Sequence, residues 1–145
     1  IIDSLPAEKR RVRILRLAPG RHIFWHSDFW HSVDTKLMRL HVPIVTNSRV
    51  GFQISHKDCI WQPGELWYGD FTFPHRLQNA GDADRVHLVI DLITNDALRA
   101  MFPERLLNQR ELRSRARAQC LRMLKGWSHV FATDRRLHAA REQRV

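Results

Sequence analysis

The sequence predicts a mainly β domain, a barrel or sandwich, followed by a helical segment. Three observations predict it. Apolar and polar residues alternate with a period of two through much of the first 94 residues, as in strands that bury one face. The strand-like runs are short and are separated by Gly, Pro, Asn and Asp turns, the spacing of small all-β folds. After residue 94 the apolar period becomes that of a helix.

The elements follow in order. "RVRILRLA" (11–18) alternates charged with apolar residues and stops at the turn "PG" (19–20). "IFWHSDFWH" (23–31) sets two histidines and an aspartate among aromatics. In "KLMRLHVPIVTN" (36–47) Met38, Leu40, Val42 and Ile44 point one way, and Leu37, Arg39 and His41 the other. Pro43 lacks a ladder donor, so the pairing is expected to be disturbed there. "VGFQI" and "CIWQ" predict short strands, and "PG" (63–64) turns the chain into "ELWYGDFTF". Past "FPHRLQN" and the polar turn "AGDAD", the strand "RVHLVIDLI" (85–93) puts Arg85, His87, Val89 and Asp91 on one face. Its other face carries Val86, Leu88, Ile90 and Leu92.

The last third reads as helices. Asn95 or Thr94 caps "DALRAMF", and Pro103 separates it from "ERLLNQRELRSRARAQCLRMLKGW". There Leu106, Leu112, Ala116, Cys120 and Leu124 are expected to face inward, with arginines opposite. "RRLHAAREQRV" predicts a short terminal helix. The expected organisation is a β core over 1–94 followed by basic helices over 95–145.

Composition narrows the classes. A chain of 145 residues, 43% apolar, is long enough to bury about two-thirds of its unfolded surface in one domain. No uncharged stretch approaches a membrane span. The opening "IIDSLPAEKRR" has no basic segment followed by an apolar run, and the expected location is the cytoplasm. It also lacks an initiator Met, which leaves room for an upstream element. Cys59 and Cys120 show no CxxC spacing, so both are expected as structural thiols in a reducing compartment.

The net charge of +9 is uneven: residues 1–94 hold 12 Lys and Arg against 10 Asp and Glu, and residues 95–145 hold 12 against 5. Arginines 110, 113, 115, 117 and 122 would form the stripe of a phosphate-binding helix. The stripe lacks interleaved aromatics, however. A solvated basic face is the expectation, and nucleic acid is not an expected partner.

The chemistry centres on His26 and Asp28, which in an extended strand face the same side and offer one imidazole and one carboxylate to a single point. A second His from elsewhere would complete the two-His-one-carboxylate triad that binds Fe(II) and leaves three positions open. His75, at a turn after an aromatic strand, is placed to supply it. An inward Arg85 needs an anionic partner, and its planar fork suits a carboxylate. A salt bridge to Asp82, Asp84 or Asp91 is the alternative for that arginine. Arg39 and His41 repeat the Arg-x-His spacing of Arg85 and His87. Two inward arginines with a His, Asp and His set describe a pocket for a metal and a dianionic acid. His31 is expected as a solvated loop histidine, with substrate contact as the sharper option, and Asn79 as a residue that fixes its turn.

"HSD", "RLHVPIVTN" and "GELWYGDFTFPHRLQNAGDADRVHLVID", in this order over about residues 11–94, resemble the aspartyl/asparaginyl β-hydroxylase family of Fe(II)/2-oxoglutarate dioxygenases. The carboxylate at Asp28 makes the chain similar to the bacterial branch that includes free-proline cis-4-hydroxylase, and it disfavours halogenation. The resemblance implies a double-stranded β-helix (jelly-roll, cupin-like) core. His26, Asp28 and His75 would be the iron ligands, and Arg85 would grip the distal carboxylate of 2-oxoglutarate. Arg39 and His41 would hold that cosubstrate at its iron-chelating end. The activity implied is hydroxylation of a C–H bond of an amino acid, free or within a peptide, by O₂, with succinate and CO₂ released. Two other readings stand beside it: a cupin metal oxidase that does not use 2-oxoglutarate, and a non-catalytic module that binds through its basic helices. Neither the oligomeric state nor the substrate is legible.

Overall fold

The computed structural model describes residues 1–126; the short helix expected at "RRLHAAREQRV" lies outside them. Eight strands come first: β1 (Lys9–Leu17), β2 (His22–His26), β3 (Leu37–Val45), β4 (Val50–Ile54), β5 (Lys57–Asp58), β6 (Trp67–Tyr68), β7 (His75–Asn79) and β8 (Arg85–Ile93). Helices α1 (Asp96–Arg99), α2 (Glu104–Leu107) and α3 (Arg110–Gly126) follow. The strands form two four-stranded antiparallel sheets, in the orders β1-β8-β3-β6 and β2-β7-β4-β5. Sequence neighbours β1 and β2, or β7 and β8, lie in different sheets, so the chain crosses repeatedly between two layers. This is a jelly-roll of the cupin type.

Strands β3 and β8 are buried on both faces, and their alternation decides what each face does. Met38 pairs with Leu92 and Leu40 with Ile90. With Leu5, Val33 and Leu98 these residues form an apolar core on the outer side of their sheet, covered by the N-terminal segment and α1. The opposite face carries Arg39, His41, Arg85, His87 and Asp91, and it looks into the space between the sheets. A second core of Phe52, Trp61, Phe71 and Leu77 fills part of that space. Both "PG" turns place their glycine at positive φ, +74° at Gly20 and +83° at Gly64, where a side chain would be strained.

Several expectations change. The ladder between β3 and β8 slips between Pro43 and Val45, as the missing donor requires. "CIWQ" is not a strand: the register with β4 ends at Asp58, a last backbone bond runs from Cys59 N–H to Phe52 O at 2.8 Å, and Trp61 turns into the second core. "ELWYGDFTF" is extended only at Trp67–Tyr68, because Asp70 folds the next residues into a turn by accepting the Thr72 N–H at 3.2 Å. Asn95 caps α1, its Oδ1 accepting the Leu98 N–H at 2.7 Å, but that helix ends at Arg99.

The face of α3 also differs. Leu112 is 62% exposed, and no residue of the helix is fully buried. The half-buried positions are Arg113, Ala116, Arg117, Cys120, Leu121 and Leu124. Arg113 and Arg117 therefore face the β core rather than solvent, drawn there by Asp34 and Asp70. The basic stripe thus has three of its members in ion pairs within the chain, Arg113 and Arg117 against the β core and Arg115 with Glu111 on the exposed side of the helix. No helix among the described residues is long and apolar enough to cross a membrane. Both cysteines are free thiols.

Candidate metal centre

Sheet pairing brings two histidines together. His26 closes β2, His75 opens β7, and the two are partners across the ladder, with ring centroids 4.1 Å apart. Each donates its Nδ1–H to the carbonyl two residues earlier, His26 to Phe24 O at 2.8 Å and His75 to Phe73 O at 3.0 Å. Those bonds fix the tautomer and leave Nε2 with a free lone pair, the way metal-ligating histidines are held. Burial pushes the His75 imidazole down to about 4, so it is neutral at pH 7.

Asp28 lies beyond the end of β2 rather than within an extended strand. Its N–H donates to Phe71 O at 2.8 Å, and Phe71 N–H donates to His31 O at 3.2 Å. These bonds clip the loop after β2 to the loop before β7. Loop geometry, not strand pleat, carries the carboxylate to the histidines. The ligand atoms of His26, Asp28 and His75 all lie within 4.8 Å of one another. No other group of His, Cys, Asp or Glu among the described residues is so placed. Two imidazoles and one carboxylate on one side of a point form a donor set for a divalent first-row metal with open positions.

Arg39 supports this set. It grips Asp91 through Nε to Oδ1 at 2.6 Å and Nη2 to Oδ2 at 3.2 Å, and its Nη1 donates to Asp28 Oδ2. One oxygen of Asp28 is thereby anchored and the other remains. Burial alone would raise the Asp91 carboxyl, but the hydrogen bonds and charge of Arg39 outweigh it and hold that group below the usual range. His31 belongs to the same cluster, its Nε2 accepting from Arg39 Nη2 at 3.2 Å. At 14% side-chain exposure it is not the solvated histidine expected.

Arg85 sits at the far end of the inner face and is 4% exposed. The three aspartates considered as its partners do not reach it: Asp84 pairs with Arg16, Asp91 with Arg39 and Arg13, and Asp82 forms no ion pair among the described residues. Among the described residues no carboxylate pairs with Arg85. Its Nη2 instead donates to His87 Nδ1 at 3.0 Å, the guanidinium lies 5.7 Å from the centre of the Phe52 ring, and Nε is buried without a partner. Burial pushes Arg85 down to about 10, which leaves it charged at pH 7. Burial, then the charge of Arg85, pushes His87 to about 3. With His87 Nδ1 accepting, His41 Nδ1–H donates to it at 3.4 Å, and the buried His41 Nε2 is left unpartnered.

Arg85 and His87 line a cavity of about 720 Å³ together with Phe52, Trp61, Asn47 and Cys59. The metal end and the arginine end are joined through Phe71, whose ring lies 5.0 Å from His75 and 4.9 Å from His41. Of the six residues singled out in the sequence, Arg85 lines this cavity, His26, Asp28, His75 and Arg39 cluster at the metal end, and His41 lies between Phe71 and His87. Asp91 and Phe71 were missed as site residues. Asp91 shared a face with Arg85 in the alternation, but only the β3–β8 register, Arg39 opposite Asp91, makes it the partner of Arg39. For Phe71 there was no signal, since its role rests on backbone hydrogen bonds. Asn79 does fix its turn, donating to Leu17 O and Ala83 O.

Residues 1–95 match the sequence profile of the Aspartyl/Asparaginyl beta-hydroxylase family, and the chain belongs to that family. A curated relative, L-proline cis-4-hydroxylase of Rhizobium meliloti (strain 1021), is 33% identical over 104 residues, covering 70% of this chain and 34% of its own. The chain therefore spans about a third of the length of that relative. Among solved structures, a Thermotoga maritima protein described as a predicted oxalate decarboxylase aligns with TM-score 0.45 at 19% identity, over 59% of this chain and 67% of its own. A cupin domain of Bordetella pertussis Tohama I aligns with TM-score 0.43 at 19% identity, over 61% and 88%.

Proposed function

We propose that this chain carries the catalytic centre of an Fe(II)- and 2-oxoglutarate-dependent dioxygenase. It hydroxylates a C–H bond of an amino acid, free or as an aspartyl, asparaginyl or prolyl residue. Family membership and the similarity to L-proline cis-4-hydroxylase support an amino-acid substrate. The observation that carries the reading is Arg85: a charge buried inside the fold with no carboxylate among the described residues to meet it. Burying an unpaired ion costs several kcal/mol, so such a group persists where an anion arrives to compensate it.

2-Oxoglutarate fits both ends of the surface. His26, Asp28 and His75 would hold the iron, and Arg85 would take the distal carboxylate in a bidentate grip. When bound, iron and cosubstrate supply oxygen activation and the oxidative decarboxylation that yields succinate and CO₂. The residues of the chain do the rest. Arg85 sets the register of the cosubstrate. His41 has an unpartnered Nε2, and it would donate to the chelating end in the tautomer that carries the ring proton on Nε2 rather than on Nδ1. Arg39 acts at that end through Asp28, which it holds against Asp91. Phe71, Trp61 and Phe52 keep water from the surface between the two ends.

The test is turnover by the full chain loaded with Fe(II), with 2-oxoglutarate and a panel of free amino acids and short peptides. Succinate formation stimulated by a particular amino acid, and lost in His75→Ala, is the expected result. Iron-loaded protein that binds no 2-oxoglutarate would favour a cupin oxidase of another kind.

A further inference from the structure

We propose that helix α3 is part of the metal centre, with Arg113 and Arg117 as positioning residues for the two loops that carry Asp28 and His75. The inference rests on the metal-binding reading of those ligands. Each loop carries an aspartate that faces the helix. Asp34, in the same loop as Asp28, receives a bidentate grip from Arg113: Nε to Oδ2 at 2.9 Å and Nη2 to Oδ1 at 2.8 Å, with both side chains 11% exposed. One helical turn on, Arg117 lies 3.4 Å from Asp70 Oδ2 and 3.8 Å from Asp34 Oδ2.

Arg117 also reaches the histidine. Its guanidinium lies 5.8 Å from the centre of the Phe73 ring, and Phe73 supplies the carbonyl that orients the His75 imidazole. Asp70 in turn accepts from Ser32 Oγ at 3.0 Å, which ties it back to the Asp28 loop. One helix therefore fastens both sides of the ligand set. It does so without fully burying any side chain, so ion pairs rather than apolar burial seat it. A helix held this way adds little to the core, and what it fixes is the spacing of two loops. Groups that act through metal ligands in this manner typically change metal affinity by about 10- to 100-fold.

The test is Co(II) binding to the full chain, followed by visible absorption, with circular dichroism and thermal melts of the metal-free protein. Wild type, His75→Ala and the double variant Arg113→Ala/Arg117→Ala are compared. The double variant is expected to keep its metal-free fold and to bind Co(II) at least about tenfold more weakly. Wild-type affinity should fall more steeply with salt than that of the double variant, because only the wild type has the pairs to screen. A folded double variant with unchanged affinity, beside a His75→Ala variant that binds poorly, overturns the role of α3 and leaves the metal site standing. Wild type and His75→Ala binding alike would remove the metal reading and this inference with it. Should the double variant lose its fold, Arg113→Lys decides: the charge stays and the fork is lost, so weaker binding supports the inference and unchanged binding overturns it.

Discussion

Arg39 and Arg85 stand on adjacent strands of one sheet, face the same interior, and differ in what meets them. Arg39 has Asp91 and Asp28, whereas Arg85 has a neutral imidazole and a phenyl ring. Replacing each with methionine should therefore move stability in opposite directions. Arg85→Met removes an uncompensated buried charge and should raise the metal-free melting temperature, by about 1–4 kcal/mol in stability. Arg39→Met takes the bidentate partner from Asp91, leaves it only Arg13 at 3.5 Å among the arginines, and should cost up to about 3–5 kcal/mol. Denaturant midpoints of the two metal-free variants check both signs. The buried histidines set a pH dependence. His75 and His87 fall from the ordinary value near 6.5 to about 4 and about 3. The unfolded chain then binds more protons than the folded one as pH drops through that window. Stability is fully present above about pH 6.5 and declines toward pH 4 and below, by about 1 kcal/mol per pH unit for each histidine. His87→Asn keeps an acceptor for Arg85 and cannot titrate, so its midpoint between pH 7 and pH 5 should fall less than that of wild type.

At the level of elements, legibility followed local periodicity. Strand alternation assigned the two faces of β3 and β8 correctly, because strand period is a property of the chain itself. Asp28 was placed on an extended strand, whereas it sits in a loop positioned by Phe71, a contact between distant segments that no local pattern encodes. The helical face of α3 was read in part. Helical spacing put Ala116, Cys120 and Leu124 on the inner side, where they are half-buried, but it also put Leu112 there and the arginines outside, whereas acidic groups on the neighbouring loops draw Arg113 and Arg117 inward. The contrast is measurable. Leu98→Ala, at the fully buried position of α1, should cost about 2–5 kcal/mol. Leu112→Ala, on an exposed helical surface, should fall within about 0.5 kcal/mol of wild type. Thermal melts of both variants test which residues seat the helices.

Over the whole molecule, two sheets place three potential metal ligands together and, elsewhere on the inner face, a buried arginine that no carboxylate among the described residues meets. The triad residues and Arg85 were legible from order and spacing, because each lies on or beside a strand with clear turns. The partners that hold them, Asp91, Phe71, Asp34 and Asp70, became visible only with tertiary contacts. The most direct measurement of the central claim is anaerobic visible absorption of the protein with Fe(II), before and after 2-oxoglutarate, in wild type, Asp28→Ala and Arg85→Ala. The account predicts a charge-transfer band that needs both additions, is lost in Asp28→Ala and is weakened in Arg85→Ala. Protein that binds Fe(II) and shows no band with 2-oxoglutarate would contradict it.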